Sequence, residues 1–416
     1  MSPDATPDPY ANPMAFGQRM QMLRERRGMT RQELAGLLGE TQHWVKNLES
    51  GRTQAPSVET VYRIAETLRV RDLADLTGRP DMQFDLFIGP GHPRLAAVRE
   101  AVDSFGLASS QQAPSAAHIA ARIRRAWSAR HSAPNHREVV GELLPGLIRD
   151  AQLAVKQAQA PADWRAAQAV LAEVYSLAQF FLAYQPDSSL LWRAAERSMV
   201  AAQQSDDPHT VGVSAWLLTQ AHRDSGRSHY DAADAVNRQA LALLEPLLAD
   251  AGNDVLAIAG ALQFEAGYTA ARRGETATAW RYWDTARSMA SRLPEDYFHP
   301  VTSFSRAIMG AHAVTVAVEL HSGSESVRQA ARSEANTIPS RPRRARHRIE
   351  QARGYHLDGQ PEAAIATLNL AYEAAPETIR YNGYARTIVL EQAESKVTAR
   401  RRRASELAVK IGLLAA

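Results

Sequence analysis

Apolar positions recur every three or four residues along almost the whole chain, so helix is the predicted element nearly throughout. Residues 16–27 place Phe16, Met20 and Leu23 on one stripe, and Gly28 ends the segment. Thr30 and Glu33 then stand at the spacing of a capping box, ahead of Leu34, Ala35, Leu37 and Leu38 as the buried face of a second helix. Gly39 stops that helix, and Thr41 is placed to cap a third over 42–48, with Val45 and Leu48 inward. Pro56 and Ser57 open a fourth over 58–68, striped by Val61, Ile64, Ala65 and Leu68. A short fifth is predicted over 72–76, before Gly78. Short helices in this order, with a tight glycine turn between the second and third, describe a helix-turn-helix unit over 14–78.

The next segment, 79–91, breaks the pattern. Its prolines and glycines argue against helix, while Phe84, Leu86, Phe87 and Ile88 argue against a free linker, so a docked bridge is expected. Residues 92–416 return to helical periodicity, with loops predicted near 109–115, 132–135, 185–189, 205–208, 294–300 and 337–342. Small residues recur there where paired helices would have to approach. Gly267, Gly274, Ala279, Trp283 and Ala286 form one such set, and Ala352, Tyr355, Gly359, Ala364, Leu368, Ala371 and Pro376 another. Looser sets surround Gly226 and Gly323, and 160–204 is expected to supply one more pair. Spacings of 48, 49 and 36 between these turn glycines exceed the 34 residues of a regular tetratricopeptide repeat. The expected fold is therefore all-α: a five-helix head followed by an irregular tetratricopeptide-like solenoid.

Composition narrows the chemistry. The chain has 416 residues and no cysteine, which removes disulfides, thiolate metal sites and cysteine nucleophiles. No apolar run reaches a membrane span, and residues 1–13, with four prolines and no apolar stretch, read as a frayed tail. A cytoplasmic protein is expected. None of the 13 histidines falls at a metal-ligand spacing, and neither a phosphate-cradling glycine loop nor a nucleophile elbow is present. The expectation is a protein without metal, cofactor or enzymatic activity. Alanine occurs 75 times, while lysine supplies only four of the 48 basic residues.

Residues 29–69 resemble the DNA-binding domain of the phage-repressor (Xre) class, through Glu33-Leu34-Ala35, Gly39, Val45, Leu48, Glu49, Gly51 and Pro56. That resemblance implies a third helix lying in the major groove of a double-stranded DNA operator. It implies base contacts from Thr41, Gln42, His43, Trp44 and Asn47, and phosphate contacts from Arg31, Lys46, Arg52 and Thr53. Trp44 stands where the class has a smaller residue, and either reads thymine methyls or packs on the second helix. Between 14 and 78 ten basic residues face eight acidic ones, a small excess that points to a homodimer on a two-part site.

The whole chain is similar to Xre-type regulators fused to tetratricopeptide domains, such as the peptide-responsive quorum-sensing regulators, in an actinobacterial branch. This implies a peptide or small-molecule effector on the concave face of the repeats. Only six asparagines lie beyond residue 92, which keeps the small molecule open. Candidate ligand contacts are Trp216, Trp283, Tyr355, Asn369 and Tyr381, with core packing as the alternative role for the tryptophans. Arg341, Arg343, Arg344, Arg346 and Arg348 crowd one helix start, against the helix dipole, and call for partners. Those partners are either an acidic neighbour such as Glu295-Asp296 or solvent, or else an anionic ligand, a docked acidic segment or DNA. The alternative function is a protein-interaction scaffold with a secondary head, and a ligand-independent repressor is a third reading.

Overall fold

Helix caps written into the sequence set the fold's first boundaries. A computed structural model describes residues 13–53, 58–68, 91–105 and 111–414, together with Pro56, Val70, Leu76 and Thr77. No strand occurs among the described residues. The chain divides into two units, Met1–Gly89 and Pro90–Ala416. Described helices of the first are α1 (Pro13–Arg26), α2 (Arg31–Leu38), α3 (Gln42–Glu49) and α4 (Val58–Thr67). Helix α1 starts three residues earlier than its apolar stripe predicts, because a proline is tolerated in a first turn. The expected tail up to residue 12, the fifth helix apart from Leu76, and the bridge apart from Gly91 lie outside the described residues.

The head closes around Phe16, Met20, Leu34, Leu38, Val45, Leu48, Ile64 and Leu76, all buried. Gly17 lets α1 reach α3 across the head. A Cβ there would sit 2.1 Å from the Leu48 carbonyl oxygen.

The second unit runs through α5 (Leu95–Asp103), α6 (Ala116–Ser132), α7 (His136–Gln157), α8 (Pro161–Leu182), α9 (Ser188–Ser205) and α10 (Pro208–Asp224). It continues with α11 (Tyr230–Leu244), α12 (Asn253–Arg273), α13 (Thr276–Arg292), α14 (Met309–Glu319) and α15 (Gly323–Arg332). The last are α16 (Arg341–Leu357), α17 (Pro361–Ala374), α18 (Pro376–Tyr381), α19 (Gly383–Ala393) and α20 (Thr398–Lys410). Consecutive helices pair most closely, as in α8 with α9, α12 with α13, and α16 with α17. Ala279, Ala286, Ala364 and Ala371 are fully buried in two of these pairs. At Gly267 a Cβ would lie 3.1 Å from the Ala279 carbonyl oxygen, so a side chain there would force α13 to give by a few tenths of an ångström. Gly274 and Gly359 take left-handed turns as expected, but Gly323 does not: His321 holds that conformation, with φ of 55°, and Gly323 begins α15.

Late helices also return to early ones. His131 on α6 meets Ser340 through Nδ1 at 2.8 Å and the Pro300 carbonyl through Nε2 at 2.6 Å. Glu377 accepts the backbone N–H of Arg137, and His136 Nε2 lies 3.0 Å from Thr378 Oγ1. Burial, then Arg130, pushes His131 down to about 3. Burial first, then Arg348, takes His347 down to about 4. Burial likewise lowers His136, His299 and His312.

A histidine held neutral in the fold binds a proton once unfolded, so stability falls as pH drops below the unfolded value of about 6.5. Each contributes a slope near 1.4 kcal/mol per pH unit until its folded value is reached. Urea unfolding of the helical unit should therefore show stability falling from pH 6.5 to 4. His347→Gln should reduce that slope by about one proton. An identical slope in the variant would contradict the buried neutral state.

Candidate nucleic-acid interface

Helix α2 begins at a closed capping box. Thr30 Oγ1 accepts the Glu33 N–H at 3.2 Å, and Glu33 Oε2 accepts the Thr30 N–H at 2.7 Å. The Thr30 N–H, then the Thr30 hydroxyl, which also donates to Glu33 Oε2 at 2.9 Å, hold the exposed Glu33 carboxyl below its usual range. Gly39 ends α2 in the left-handed region, with φ of 68°, and Thr41 Oγ1 accepts the Trp44 N–H at 3.1 Å to open α3. The turn between the helices is thus fixed at both sides by side chains or backbone that suit it.

Helix α3 divides by face. Val45, Leu48 and Glu49 are buried, while Thr41, Gln42, His43 and Lys46 are exposed. Trp44 and Asn47 are half-buried, and Trp44 packs on the core of the head, so the indole takes the packing role at least in part. Arg52 is exposed and Thr53 half-buried just beyond the helix. The exposed residues form one polar surface at the start of α3, able to offer amide, imidazole and ammonium groups outward.

That surface is braced from behind by an ion-pair cluster which sequence reasoning missed. Glu49, 3% exposed, accepts Arg24 Nε at 2.6 Å and Nη2 at 3.2 Å. Its Oε2 also accepts Arg31 Nε at 2.6 Å. Arg24 further donates to the Met29 carbonyl at 2.7 Å. Hydrogen bonding to Glu49, working against desolvation, raises the Arg24 guanidinium further above its ordinary value. One carboxylate therefore ties α1, the start of α2 and the end of α3. Arg31, expected on phosphate, has Nε on Glu49, while its side chain remains 38% accessible. Other head arginines are also engaged within the chain: Arg63 on the Leu38 carbonyl, Arg27 on the Thr67 carbonyl and Arg19 on the Thr77 carbonyl. Lys46 and Arg52 stay exposed on the α3 side.

A helix-turn-helix domain family matches residues 15–77, which contain α2 to α4 and all but the first two residues of α1. The match supports a DNA-binding helix-turn-helix regulator. Among curated proteins and among solved structures, none matches the chain.

The candidate ligand contacts of the second unit are not brought together. Trp216 on α10 is buried beside Phe180, with ring centroids 6.2 Å apart. Trp283 Nε1 donates to the Met309 carbonyl at 3.1 Å. Tyr355 packs on a separate cluster formed by the last helices, and Asn369 bonds its own helix at the Ile365 carbonyl. Tyr381 lies near His92 and beneath the Arg137 guanidinium, 5.5 Å from its ring centroid. No described hydrogen bond or ring contact joins any two of the five.

The arginine-rich start of α16 also finds partners other than Glu295-Asp296. Arg341 donates to the Ala374 and Glu373 carbonyls at the end of α17, at 2.9 and 3.2 Å. Arg343 donates to the Thr302 carbonyl at 2.8 Å and to Ser303 Oγ at 3.2 Å. Arg346 bonds Tyr184 and Glu350, and Arg348 reaches Asn336. Backbone carbonyl oxygens gathered by tertiary packing, invisible in a linear charge count, take two of these five arginines, Arg341 and Arg343. Among the described residues no group of three metal-ligating side chains occurs, and no described helix is long and apolar enough to cross a membrane.

Removing one member of a buried ion pair leaves its partner uncompensated, at a cost of about 3–5 kcal/mol. Glu49→Ala should therefore open the head selectively. Hydrogen exchange of the full chain should quicken across 16–68 while the helices beyond residue 95 keep their protection. Gly17→Ala should do the same through the clash with Leu48. Protection unchanged across the head would contradict the bracing role of Glu49.

Proposed function

We propose that this protein is a sequence-specific, DNA-binding transcriptional regulator and not an enzyme. The observation that carries this reading is the exposed polar face of α3, presented after a capped tight turn and braced by Glu49. An α-helix held in this way fits the major groove, with its first turns towards base edges and the neighbouring amides towards phosphate. Gln42 and Asn47 are the adenine-reading candidates, because a carboxamide can bond that edge twice. Thr41, His43 and Trp44 flank them. Lys46, Arg52, Thr53 and the accessible part of Arg31 supply phosphate contacts.

The head carries a small positive excess and spends several arginines internally, so one copy has few cations left for phosphate. A homodimer reading two half-sites in an operator meets that shortage. In this reading the helical unit is a tetratricopeptide-like sensor and dimerisation domain of the Xre-fusion type. Its paired helices, with alanine and glycine at the closest approaches, support that assignment. A peptide or small molecule would shift the unit between two packings and so alter the spacing of the two heads, as in quorum-sensing regulators of this design. Such a protein works in the cytoplasm, on chromosomal DNA.

Two classes of substitution separate reading from anchoring. Gln42→Ala and Asn47→Ala should each relax preference at defined operator positions by about 1–3 kcal/mol per base pair. Lys46→Ala and Arg52→Ala should weaken all duplexes alike and lower the salt slope by about one each. Gel shifts of selected and scrambled duplexes across a salt series check both. Operator preference and salt slope unchanged in all four variants would overturn the assignment of α3.

A further inference from the structure

Inside the helical unit, several buried or half-buried arginines fall into two groups. In the first, carboxylates are supplied. Arg223 pairs with Glu265, Arg353 with Glu319 and Glu350 at 2.7 and 2.6 Å, and Arg346 with Glu350 at 2.6 Å. Arg272 meets Asp224 at 3.1 Å. In the second group they are not. Arg130, 7% exposed, stacks its guanidinium 4.1 Å from the Phe180 ring centroid, and its described polar contact is His131 Nδ1 at 3.4 Å. Arg343 has the Thr302 carbonyl and Ser303 hydroxyl, and lies 5.8 Å from the Trp216 ring. No described ion pair includes either residue.

An unpaired buried charge is strongly unfavourable, and proteins tolerate it mainly where another ion completes the site. Burial first, then Arg343 and Arg137, lowers Arg130 well below its ordinary value. Burial, then Arg346, brings Arg343 down to about 10. Neighbouring His131 and His312 are held neutral, so neither adds to the charge. Two donors here are buried without an acceptor, Trp216 Nε1 and His312 Nδ1. Phe180, Tyr184, His312 and Arg343 are half-buried, while Arg130 and Trp216 are buried. Tyr184 and Ser303, which touch Arg346 and Arg343, both hold the left-handed backbone conformation, with φ of 65° and 63°. Side chains other than glycine adopt it at a cost, commonly where a site is being shaped.

We propose that this region is an anion-binding site, in which Arg130 and Arg343 take the negative group of a small organic phosphate or carboxylate and Phe180 and Trp216 hold its apolar body. Guanidinium forks suit either oxyanion, and the indole N–H offers a third donor. The aromatic walls suit a ring or hydrocarbon attached to it. This names the ligand class for the sensor and rests on the proposed effector-responsive reading of the unit. Because α16 carries Arg343 and contacts α6, which carries Arg130, the anion would clamp a late helix to an early one.

Thermal unfolding of the full chain at constant ionic strength tests the site, with phenyl phosphate, inorganic phosphate and benzoate as anionic probes and benzamide as the neutral control. At least one aromatic anion should raise the melting temperature, and benzamide should not. Inorganic phosphate separates a bare oxyanion site from one that needs the apolar body. Phenyl phosphate against benzoate separates the two oxyanions. Arg130→Met and Arg343→Met should each melt higher than the wild type without ligand, since an uncompensated charge is gone. Each should also bind the active anion at least about tenfold more weakly. Three results would overturn the proposal: no shift with any anion, equal shifts in wild type and both variants, or variants that melt lower without ligand. Operator gel shifts on the same samples keep the two readings apart. An anion response without operator binding rejects the regulator and keeps the site; operator binding without an anion response does the reverse.

Discussion

One buried carboxylate holds the head in its working shape. Glu49 lies at the end of α3, and the two arginines it receives come from α1 and the start of α2. A lone carboxylate at that depth would be strongly disfavoured, and the Arg24 and Arg31 guanidiniums compensate it. The orientation of α3, and with it the outward direction of Gln42, His43 and Lys46, follows from that tie. Gly17 allows the same junction to close, and Gly51, with φ of 68°, turns the chain away immediately after it. The Glu-x-Gly ending of α3 thus has a physical reason: charge for the brace, then a residue free to turn.

In the helical unit the governing constraint is different. A hydrophobic core of leucine, isoleucine, valine, alanine and aromatic side chains is joined there by buried polar groups that bond between helices. Arg353 lies 3.7 Å from the Tyr384 ring and also bonds Glu319, whose carboxyl is taken down to about 2 by Arg353 and Arg272 despite burial. Such a polar interior is held by directional bonds, and any that go unmade are costly. A packing of this kind favours discrete arrangements over gradual bending, which suits a domain proposed to switch.

What was legible in the sequence was local. Thr30 with Glu33, Gly39 and Thr41 mark helix ends because caps act over three or four residues. Gly274 and Gly359 mark tight turns for the same reason. The contacts that shape the candidate sites are not local. Arg24 and Glu49 are 25 residues apart, and His131 and Ser340 are 209 apart. No spacing rule connects them. Arg31 illustrates the consequence: its position in the motif predicts a phosphate contact, yet the fold also places its Nε on Glu49. The arginine run at 341–348 misled in a similar way, since backbone carbonyls are partners that a count of acidic residues never includes. His321 replaced Gly323 as the left-handed residue of its turn, because a glycine in the neighbourhood does not fix which residue takes the strained angle.

In the proposed reading, a head with one braced helix and few free cations gains selectivity from base edges and affinity from pairing two heads. The most direct measurement is selection from a random duplex DNA pool by the purified full-length protein at about 50 mM salt, where phosphate contacts contribute strongly. A single enriched motif, repeated with its two halves about one helical turn apart, is the predicted result. A pool that stays random after several rounds would contradict DNA reading by α3.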